Sequence, residues 1–267
     1  MPPANGSADR CAIGNNQLTA LRQIIANVEH PPLAVMQEHL PFGLTEVDGH
    51  LPGNGLACGA LHEITAQAHG DKPAAFGFAV ALMALALCSR PGPAILVAAR
   101  RSFKTFGAPY GHGLCQLGFD VERLVLIESA SNKDTLWAIE ETLRSGAAPA
   151  LVLGAVEGVI NLAKSRRLSL AAAAFGTPLI LMRTSETNAA SAAVTRWRIG
   201  SASRSHDRFG AFSCPRWNVA LERCRNGRAG QWVLEWDHVA HRFRMAEIVA
   251  NRSSGIGAGE TSLRLAG

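Results

Sequence analysis

The sequence predicts an α/β fold in which a parallel sheet is covered by helices on both faces and continues into an antiparallel extension. Strands buried on both faces lack polar alternation, and such apolar segments occur at residues 94–99, 124–129, 150–154 and 177–183. Helical segments separate them. After residue 183 polar and apolar residues alternate, which is typical of antiparallel strands. We therefore expect two parts of different architecture.

The chain divides into four regions. Residues 1–15 have no apolar stretch and residues 251–267 are rich in Gly and Ser, so both ends are expected to be flexible or disordered. Residues 16–183 form the predicted α/β core. Residues 184–250 form the antiparallel, arginine-rich extension, in which the turn signal "NGRAG" at 226–230 indicates a hairpin.

The helices of the core follow from periodicity and capping residues. Residues 18–29 place their apolar residues on one helical face. The longest apolar run, 74–88, is shorter than the roughly 20 residues that a membrane span requires, so a buried helix is expected. A further helix begins with Ser131 or Asn132 as N-cap and ends at Gly146.

Composition favours a cytoplasmic protein without a membrane segment. The six cysteines of the 267-residue chain are scattered without a C-x-x-C pair, as expected for reduced thiols. Residues 183–267 contain 13 Arg, no Lys and 7 acidic residues, whereas the rest of the chain is nearly neutral. This asymmetry fits either a solvated arginine-rich surface or a face for nucleic acid or an acidic partner.

Two long segments resemble the core of RecA-type ATPases. "LTEVDGHLPGNGLACGALHEI" is similar to the turn before the first core strand, and "GLCQLGFDVERLVLIESASNKDTLWAIEETLRSGAAPALVL" to the stretch that ends in the Walker B strand. "GALHE", "RWRI" and, most specifically, "LERCRNGRAGQWVLEW" identify the chain as a member of the inducible mutagenesis protein A (ImuA) family. The resemblance covers residues 40–236 and implies a RecA-like parallel sheet flanked by helices.

The loop "AQAHGDKP" occupies the position of the Walker A loop but lacks its chemistry. If Lys72 is the phosphate-binding lysine, Ala66 and Asp71 replace the two glycines that let backbone N–H groups reach phosphate. Pro73 replaces the hydroxyl that binds Mg²⁺ and also removes an N–H. The carboxylate of Asp71 would repel phosphate.

Two further catalytic positions are changed. Gly154 stands where the Walker B acid is expected, and Arg100 stands where the resemblance implies the acid that activates water. Glu157 is a candidate substitute for the Walker B acid but comes three residues later. We therefore expect a pseudo-ATPase with no catalytic residue, no cofactor and no metal, and a divergent active ATPase is the alternative.

Two other groups of residues favour structural roles. His238 and His241, with Cys214 and Cys224, lack the usual zinc spacing and are expected to be surface residues. His62 and Glu63 end the "GALHE" motif and are expected to be buried on opposite faces of a central strand. Four tryptophans of the extension are expected to pack in the core, with base stacking as the lesser alternative: Trp197, Trp217, Trp232 and Trp236.

Basic residues in two places are candidates for contacts with DNA or a protein partner. The first group, Lys164, Arg166 and Arg167, follows the Walker B-like strand, where RecA places a DNA-binding loop. The second group lies in the extension, where residues at i and i+2 share a sheet face: Arg196, Arg198, Arg223, Arg225 and Arg228. Nearby acids are an alternative partner for the second group, and solvent for the first.

The resemblance implies an accessory role in translesion DNA synthesis induced by DNA damage. Its implied partners are an inactive Y-family-like polymerase (ImuB) and an error-prone replicative-type polymerase, with RecA and single-stranded or damaged DNA as further candidates. Localisation would be cytoplasmic and nucleoid-associated. The alternatives are an SOS cell-division inhibitor with a truncated RecA-like fold, a DNA-dependent ATPase and a plain DNA-binding module. The segment between residue 183 and "RWRI" is short for a second DNA loop, so a self-assembling filament is not expected.

Overall fold

The computed structural model describes residues 38–183, 190–203 and 214–246. The strands are, in chain order, β1 (His39–Leu40), β2 (Leu56–Ala57), β3 (Leu61–Ala66), β4 (Ala94–Ala99), β5 (Leu124–Ser129), β6 (Leu151–Val156), β7 (Leu179–Arg183), β8 (Thr195–Ser201), β9 (Arg216–Cys224), β10 (Gly230–Asp237) and β11 (Arg242–Met245). The α-helices are α1 (Thr45–Asp48), α2 (Lys72–Ser89), α3 (Phe103–Phe106), α4 (Gly111–Gln116), α5 (Asn132–Arg144) and α6 (Leu162–Ala174). The predictions for residues 1–15, 18–29 and 251–267 lie outside the described residues.

One nine-stranded mixed sheet organises the molecule, in the order β11-β10-β9-β8-β3-β7-β6-β4-β5. The six strands from β8 to β5 are parallel, and β9, β10 and β11 each pair antiparallel with the preceding strand. This confirms an α/β fold with an antiparallel C-terminal extension. Strand β3 lies in the middle of the sheet, as the resemblance implied.

The parallel part of the sheet extends one strand further than predicted. Strand β8, which carries the "RWRI" motif, pairs antiparallel with β9 as expected, but its other edge pairs parallel with β3. The alternating pattern of β8 indicated an antiparallel strand only because one face of β8 is half-open. The change of direction therefore occurs between β8 and β9 and not at residue 184.

The position of β5 also differs from the prediction. Its apolar sequence indicated burial on both faces, but β5 is the terminal strand of the sheet, and Val125 and Leu126 are 43% and 42% exposed. An apolar run alone does not distinguish a central strand from an edge strand. Strand β6, in contrast, is buried throughout and extends to Val156, two residues beyond the predicted end.

Two hydrophobic layers cover the sheet. On one face α2 packs with α3, α4 and the aromatic side chains of β8, β9 and β11. On the other face α5 and α6 cover the parallel strands, with Ile139 and Leu168 in their contact surfaces. Ser131 caps α5 by accepting from Asp134 N at 3.3 Å, and Gly146 follows its end with φ 72°, so both predicted boundaries are confirmed within a residue or two.

Helix α2 is the predicted apolar helix, and it packs as a core helix. The segment His69–Ser89 has the length and apolarity of a membrane span, but 61% of its apolar window is buried inside the protein. Its C-terminal carbonyls are satisfied by Arg123, which donates to Leu87 O at 2.9 Å and to Arg90 O at 2.7 Å. A helix end that is closed by another part of the chain is fixed in the fold.

The turn before β3 is organised by Asp48. Its carboxylate is buried and accepts hydrogen bonds from the N–H groups of Phe42 at 2.8 Å, Gly43 at 2.9 Å and Leu44 at 3.0 Å. Burial raises the pKa of this carboxyl above its usual value, although the three N–H donors act in the opposite direction. Asp48, which lies in the segment "LTEVDGHLPGNGLACGALHEI", therefore has a structural role.

His62 and Glu63 are buried on opposite faces of β3, as predicted. Since Ala57 O can only accept, Nε2 of His62 donates to it at 2.9 Å, and Nδ1 accepts from the Thr195 hydroxyl at 2.7 Å. Thr195 in turn accepts from Trp197 Nε1 at 2.8 Å. Burial lowers the pKa of His62 to about 4, so the imidazole is neutral in the folded protein.

The neutral state of His62 predicts a specific pH dependence of stability. In the unfolded chain the imidazole has a pKa of about 6.5 and binds a proton more readily than in the folded chain. Its contribution to stability is therefore complete above about pH 6.5 and is lost as the pH falls toward about 4. The loss from this group alone would be about 3 kcal/mol.

Urea unfolding of the wild type and of His62→Gln between pH 7.5 and pH 4.5 tests this expectation. Glutamine can donate to Ala57 O and accept from Thr195 without titrating, so the variant should lose less free energy of unfolding over this pH range. Identical pH profiles would contradict the assignment of a neutral buried imidazole.

Candidate functional site

The degenerate Walker loop connects β3 to α2 and is tied to β8. Ala66 is buried at the end of β3, and Gln67 N donates to Ile199 O at 2.7 Å. The Gln67 side chain lies against Gly200, where a Cβ would overlap its amide oxygen. A short helical turn, His69–Asp71, then leads into α2. The loop is thus hydrogen-bonded to and packed against the neighbouring strand β8.

Asp71 supplies the loop with its own anion. Its carboxylate accepts from Ala68 N at 3.1 Å, from Ser201 N at 3.0 Å and from the Ser201 hydroxyl at 2.5 Å. The hydroxyl of Ser201 is the main reason that the pKa of Asp71 lies below its usual value. The carboxylate is therefore charged at neutral pH and uses N–H donors of the kind that a phosphate would require.

The loop has few free donors for a nucleoside triphosphate. Ala68 N already donates to Asp71, and Pro73 in the first turn of α2 has no N–H. Gly70 is the only glycine between Ala66 and Pro73, so few backbone groups can converge on one anion. Lys72 is half-exposed at the first position of α2, but one lysine beside a carboxylate does not form a phosphate site.

Gly154 lies inside β6 and not at its end. It is opposite Val97 of β4 and Leu181 of β7. A Cβ at this position would overlap Cδ1 of Ile139 and lie 3.1 Å from Cδ1 of Leu181. The position predicted for the Walker B acid is therefore a glycine, and Ile139 of α5 fills the space that a side chain there would occupy.

Glu157 is the first residue after β6 and belongs to a polar cluster at the strand ends. Its side chain accepts from the Ser102 hydroxyl at 3.2 Å and pairs with Arg101 Nε at 3.1 Å. Its backbone N and O exchange hydrogen bonds with the Asn132 amide at 3.3 and 2.7 Å. The sequence pattern indicated Glu157 only as a displaced Walker B acid. It did not indicate that Arg101, Ser102 and Asn132 surround this residue.

Arg100 follows β4 and points to solvent. Its side chain is 85% exposed, and its Nε lies 3.3 Å from Glu128 Oε2 of β5. The position that would carry a water-activating acid thus holds a surface ion pair. Pairs of this kind contribute little to stability.

Four of the eight arginines in the described part of the extension pair with carboxylates on neighbouring strands. Arg196 and Arg198 share a sheet face, as predicted; Arg196 contacts the buried Glu63 at 3.2 Å, and Arg198 contacts Glu222 at 2.5 Å. Arg216 Nε lies 2.5 Å from Glu235, which also pairs with Arg244. The alternative of intramolecular neutralisation is therefore realised for these residues.

The remaining candidates of the extension are separated by irregular backbone. A register shift opposite Arg196 and Trp197 interrupts the alternation of β9, so Arg223 faces Arg196 across the pair. Arg225 lies beyond the end of β9 and donates its backbone N–H to Val194 O at 2.8 Å. Arg228 lies in the hairpin turn and donates to Gly49 O at 3.3 Å. Arg223 is exposed.

The basic residues of α6 divide into two groups. Arg167 pairs with Glu140 of α5, an acid that also lies 2.9 Å from Arg144. Lys164 and Arg166 are exposed, and within the described part of the chain neither forms an ion pair. Two of the three predicted cations of α6 are thus available to an external anion.

The histidines and tryptophans of the extension have structural surroundings. His238 Nδ1 lies 2.9 Å from Gln116 O, and a Cβ on Gly118 would overlap the ring of His241. Within residues 38–183, 190–203 and 214–246, no group of three or more His, Cys, Asp or Glu side chains is placed to hold a metal. Three of the four predicted tryptophans are buried, and the fourth, Trp232, lies edge-on to His50 with ring centroids 5.0 Å apart.

The fold and the loop together define an α/β protein with a mixed sheet whose central βα loop is occupied by its own carboxylate. No family model matches the chain. Two curated proteins named Protein ImuA, from Caulobacter vibrioides strains NA1000 / CB15N and ATCC 19089 / CIP 103742 / CB 15, are each 35% identical to it over 233 residues. The matches cover 79% of this chain and 90% of each relative. The chain therefore belongs to the ImuA family.

The packing around Gly154 predicts that an acidic residue at this position will lower the stability of the protein and will not create a metal-binding site. Gly154→Ala should lower the free energy of unfolding by about 1–3 kcal/mol because it overfills the contact with Ile139. Gly154→Asp should cost at least about 3 kcal/mol because it also buries an unpaired charge.

Urea unfolding followed by circular dichroism measures both effects. In a matched control, Ile139→Val should recover part of the stability of Gly154→Ala but not that of Gly154→Asp. A Gly154→Asp protein as stable as the wild type would contradict the tight packing of Gly154 against Ile139.

Proposed function

We propose that the chain is a non-catalytic, RecA-like accessory protein in SOS-induced translesion DNA synthesis. In this role it acts through an ImuB-type inactive Y-family-like polymerase and an error-prone replicative-type polymerase. Membership of the ImuA family supports the process. The carboxylate of Asp71 in the nucleotide loop, held by Ser201 and Ala68, is the observation that supports a role without ATP turnover.

Three separate features argue against catalysis. The loop contains a carboxylate and a proline where phosphate and Mg²⁺ require N–H and hydroxyl groups. The Walker B position is closed by Ile139. The position of the catalytic acid is an exposed arginine paired with Glu128. Restoring one of these features would leave the other two, so a weakened ATPase is a poorer explanation than a protein that uses its surface.

In the described extension, several arginines are already paired with acids. Intramolecular acids neutralise Arg198 and Arg216, whereas Arg223 is exposed next to Glu222 at the end of β9. This end of the extension also carries Arg228 in the hairpin turn. We assign the contact with the ImuB-type partner to this region. Localisation with the nucleoid would follow from these partners.

The first test concerns nucleotide. Because Asp71 occupies the loop, we expect no ATP hydrolysis and no binding of ATP and Mg²⁺ tighter than about millimolar. Isothermal titration calorimetry on the full chain measures this directly. A micromolar Kd for ATP that Lys72→Ala abolishes would contradict the proposal and favour the divergent ATPase.

The second test concerns the protein partner. Arg223→Glu should leave the fold intact, because exposed charges usually change stability by less than about 0.5 kcal/mol. The same change should weaken association with the ImuB-type partner, mainly by slowing association. Arg223→Lys retains the charge and serves as the matched control.

Circular dichroism and a co-purification assay with surface plasmon resonance separate the outcomes. Loss of the fold in Arg223→Glu would identify Arg223 as an internal ion-pair partner. A folded Arg223→Glu protein with wild-type association kinetics would place the interface elsewhere.

A further inference from the structure

The unpaired cations of the α/β part collect at one edge of the sheet. Because strands β4, β5 and β6 are parallel neighbours, the residues that follow them meet at the carboxyl edge. Lys104 follows β4, Lys133 follows β5, and Lys164 and Arg166 follow β6. All four are exposed, and none pairs with a carboxylate in the described ranges.

Other cations near this edge are already neutralised. Arg100 pairs with Glu128 and Arg101 with Glu157. The N-termini of α5 and α6 also lie at this edge and add partial positive charge. Glu128 and Glu157 are thus engaged by arginines, and Asp134, the acid next to Lys133, accepts from the Ser131 hydroxyl at 2.7 Å.

The backbone diverges at this edge of the sheet. Strands β4 and β6 are adjacent, but the chain leaves them toward opposite faces of the sheet. After β4 it passes to the α2 face, where Phe106 packs on Phe76 with ring centroids 4.4 Å apart. After β6 it passes into α6 on the other face. Such divergence at the carboxyl ends of parallel strands is where α/β proteins bind ligands.

Cations lie on both sides of this divergence, and a polar cluster lies at the strand ends. Lys133, Lys164 and Arg166 lie on the side of α5 and α6, and Lys104 lies on the side of α3. Between them Glu157 is held by Ser102 and Asn132. Because the polar groups of Glu157 already have hydrogen-bond partners, binding of an external anion would depend on the cations on either side.

An exposed aromatic pair follows strand β4, on the same side of the sheet as Lys104. Tyr110 is 71% exposed, and its ring stacks on His112 with centroids 5.5 Å apart and planes 18° from parallel. Tyr110 is the only tyrosine of the chain. Tyr110 lies in the loop between α3 and α4, and His112 lies in α4, so both follow Lys104 on the same side of the sheet. Exposed flat rings beside cations are the elements that bind unpaired bases and their phosphates.

We infer that the carboxyl edge of β4, β5 and β6 binds single-stranded nucleic acid, with phosphates on Lys104, Lys133, Lys164 and Arg166 and a base on Tyr110. The inference rests on the proposed function only in its choice of cellular setting and requires no ATP. It assigns polyanion binding to the cations at the strand ends and not to the arginine-rich extension, where Arg196, Arg198 and Arg216 form ion pairs with acids of the same chain. An acidic polypeptide would use the same charges but would gain nothing from the Tyr110 stack.

Fluorescence anisotropy of the full chain with labelled oligothymidylate tests the site. Replacing Lys104, Lys133, Lys164 and Arg166 together by Gln should reduce affinity at low salt by at least about tenfold and lower the slope of log K against log salt by about 3. Tyr110→Ala should reduce affinity by about tenfold with an unchanged salt slope.

Helix α5 provides a matched control. Lys133→Gln and Arg144→Gln remove the same charge from opposite ends of one helix, and only Lys133 lies at the carboxyl edge. Lys133→Gln should lower the salt slope by about 0.7, whereas Arg144→Gln should not change it. Circular dichroism verifies that each variant is folded.

Three results would overturn the inference: no binding of oligothymidylate by the wild type, wild-type binding by the quadruple variant, or full displacement by polyglutamate together with no effect of Tyr110→Ala. Co-purification with the ImuB-type partner is measured on the same proteins. If partner association persists while DNA binding is absent, this inference fails and the proposed function stands. If DNA binding is as expected but no partner associates, this inference stands and the proposed function fails.

Discussion

The burial of two polar side chains on opposite faces of β3 is the constraint on which the sheet depends. On one face His62 is held between Ala57 and Thr195. On the other face Glu63, which is fully buried, lies 3.4 Å from Arg183 of β7 and 3.2 Å from Arg196 of β8. Removing one member of a buried pair leaves an uncompensated charge at a cost of about 3–5 kcal/mol, so this arrangement fixes β3 between its two neighbours.

The same neighbour, β8, also determines the chemistry of the loop after β3. Ser201 at the end of β8 donates to Asp71, and Ile199 accepts from Gln67. A loop that closed around phosphate would have to release these contacts and expel a carboxylate whose pKa is already lowered by Ser201. In this form the N–H donors of the loop are engaged by Asp71 and β8, which supports the proposal of a protein without ATP turnover.

The sequence predicted most elements because buried parallel strands and capped helices have strong local signals. The strand at 94–99 has the predicted bounds, and Ser131 caps α5 as expected. The errors concern pairing, which is not local. The pattern of β8 does not reveal that its other edge is parallel to β3, and the apolar sequence of β5 does not reveal that it lies at the edge of the sheet.

Charge was the least predictable property for the same reason. The arginines of the extension form a conspicuous group in sequence, but their partners Glu222 and Glu235 become neighbours only through strand pairing. Conversely, Lys104, Lys133 and Lys164 are distant in sequence and form no pattern there. They meet because parallel strands bring all their carboxyl ends to one edge. A surface built in this way depends on the order of the strands around β4 and β6 and not on the loop that follows β3.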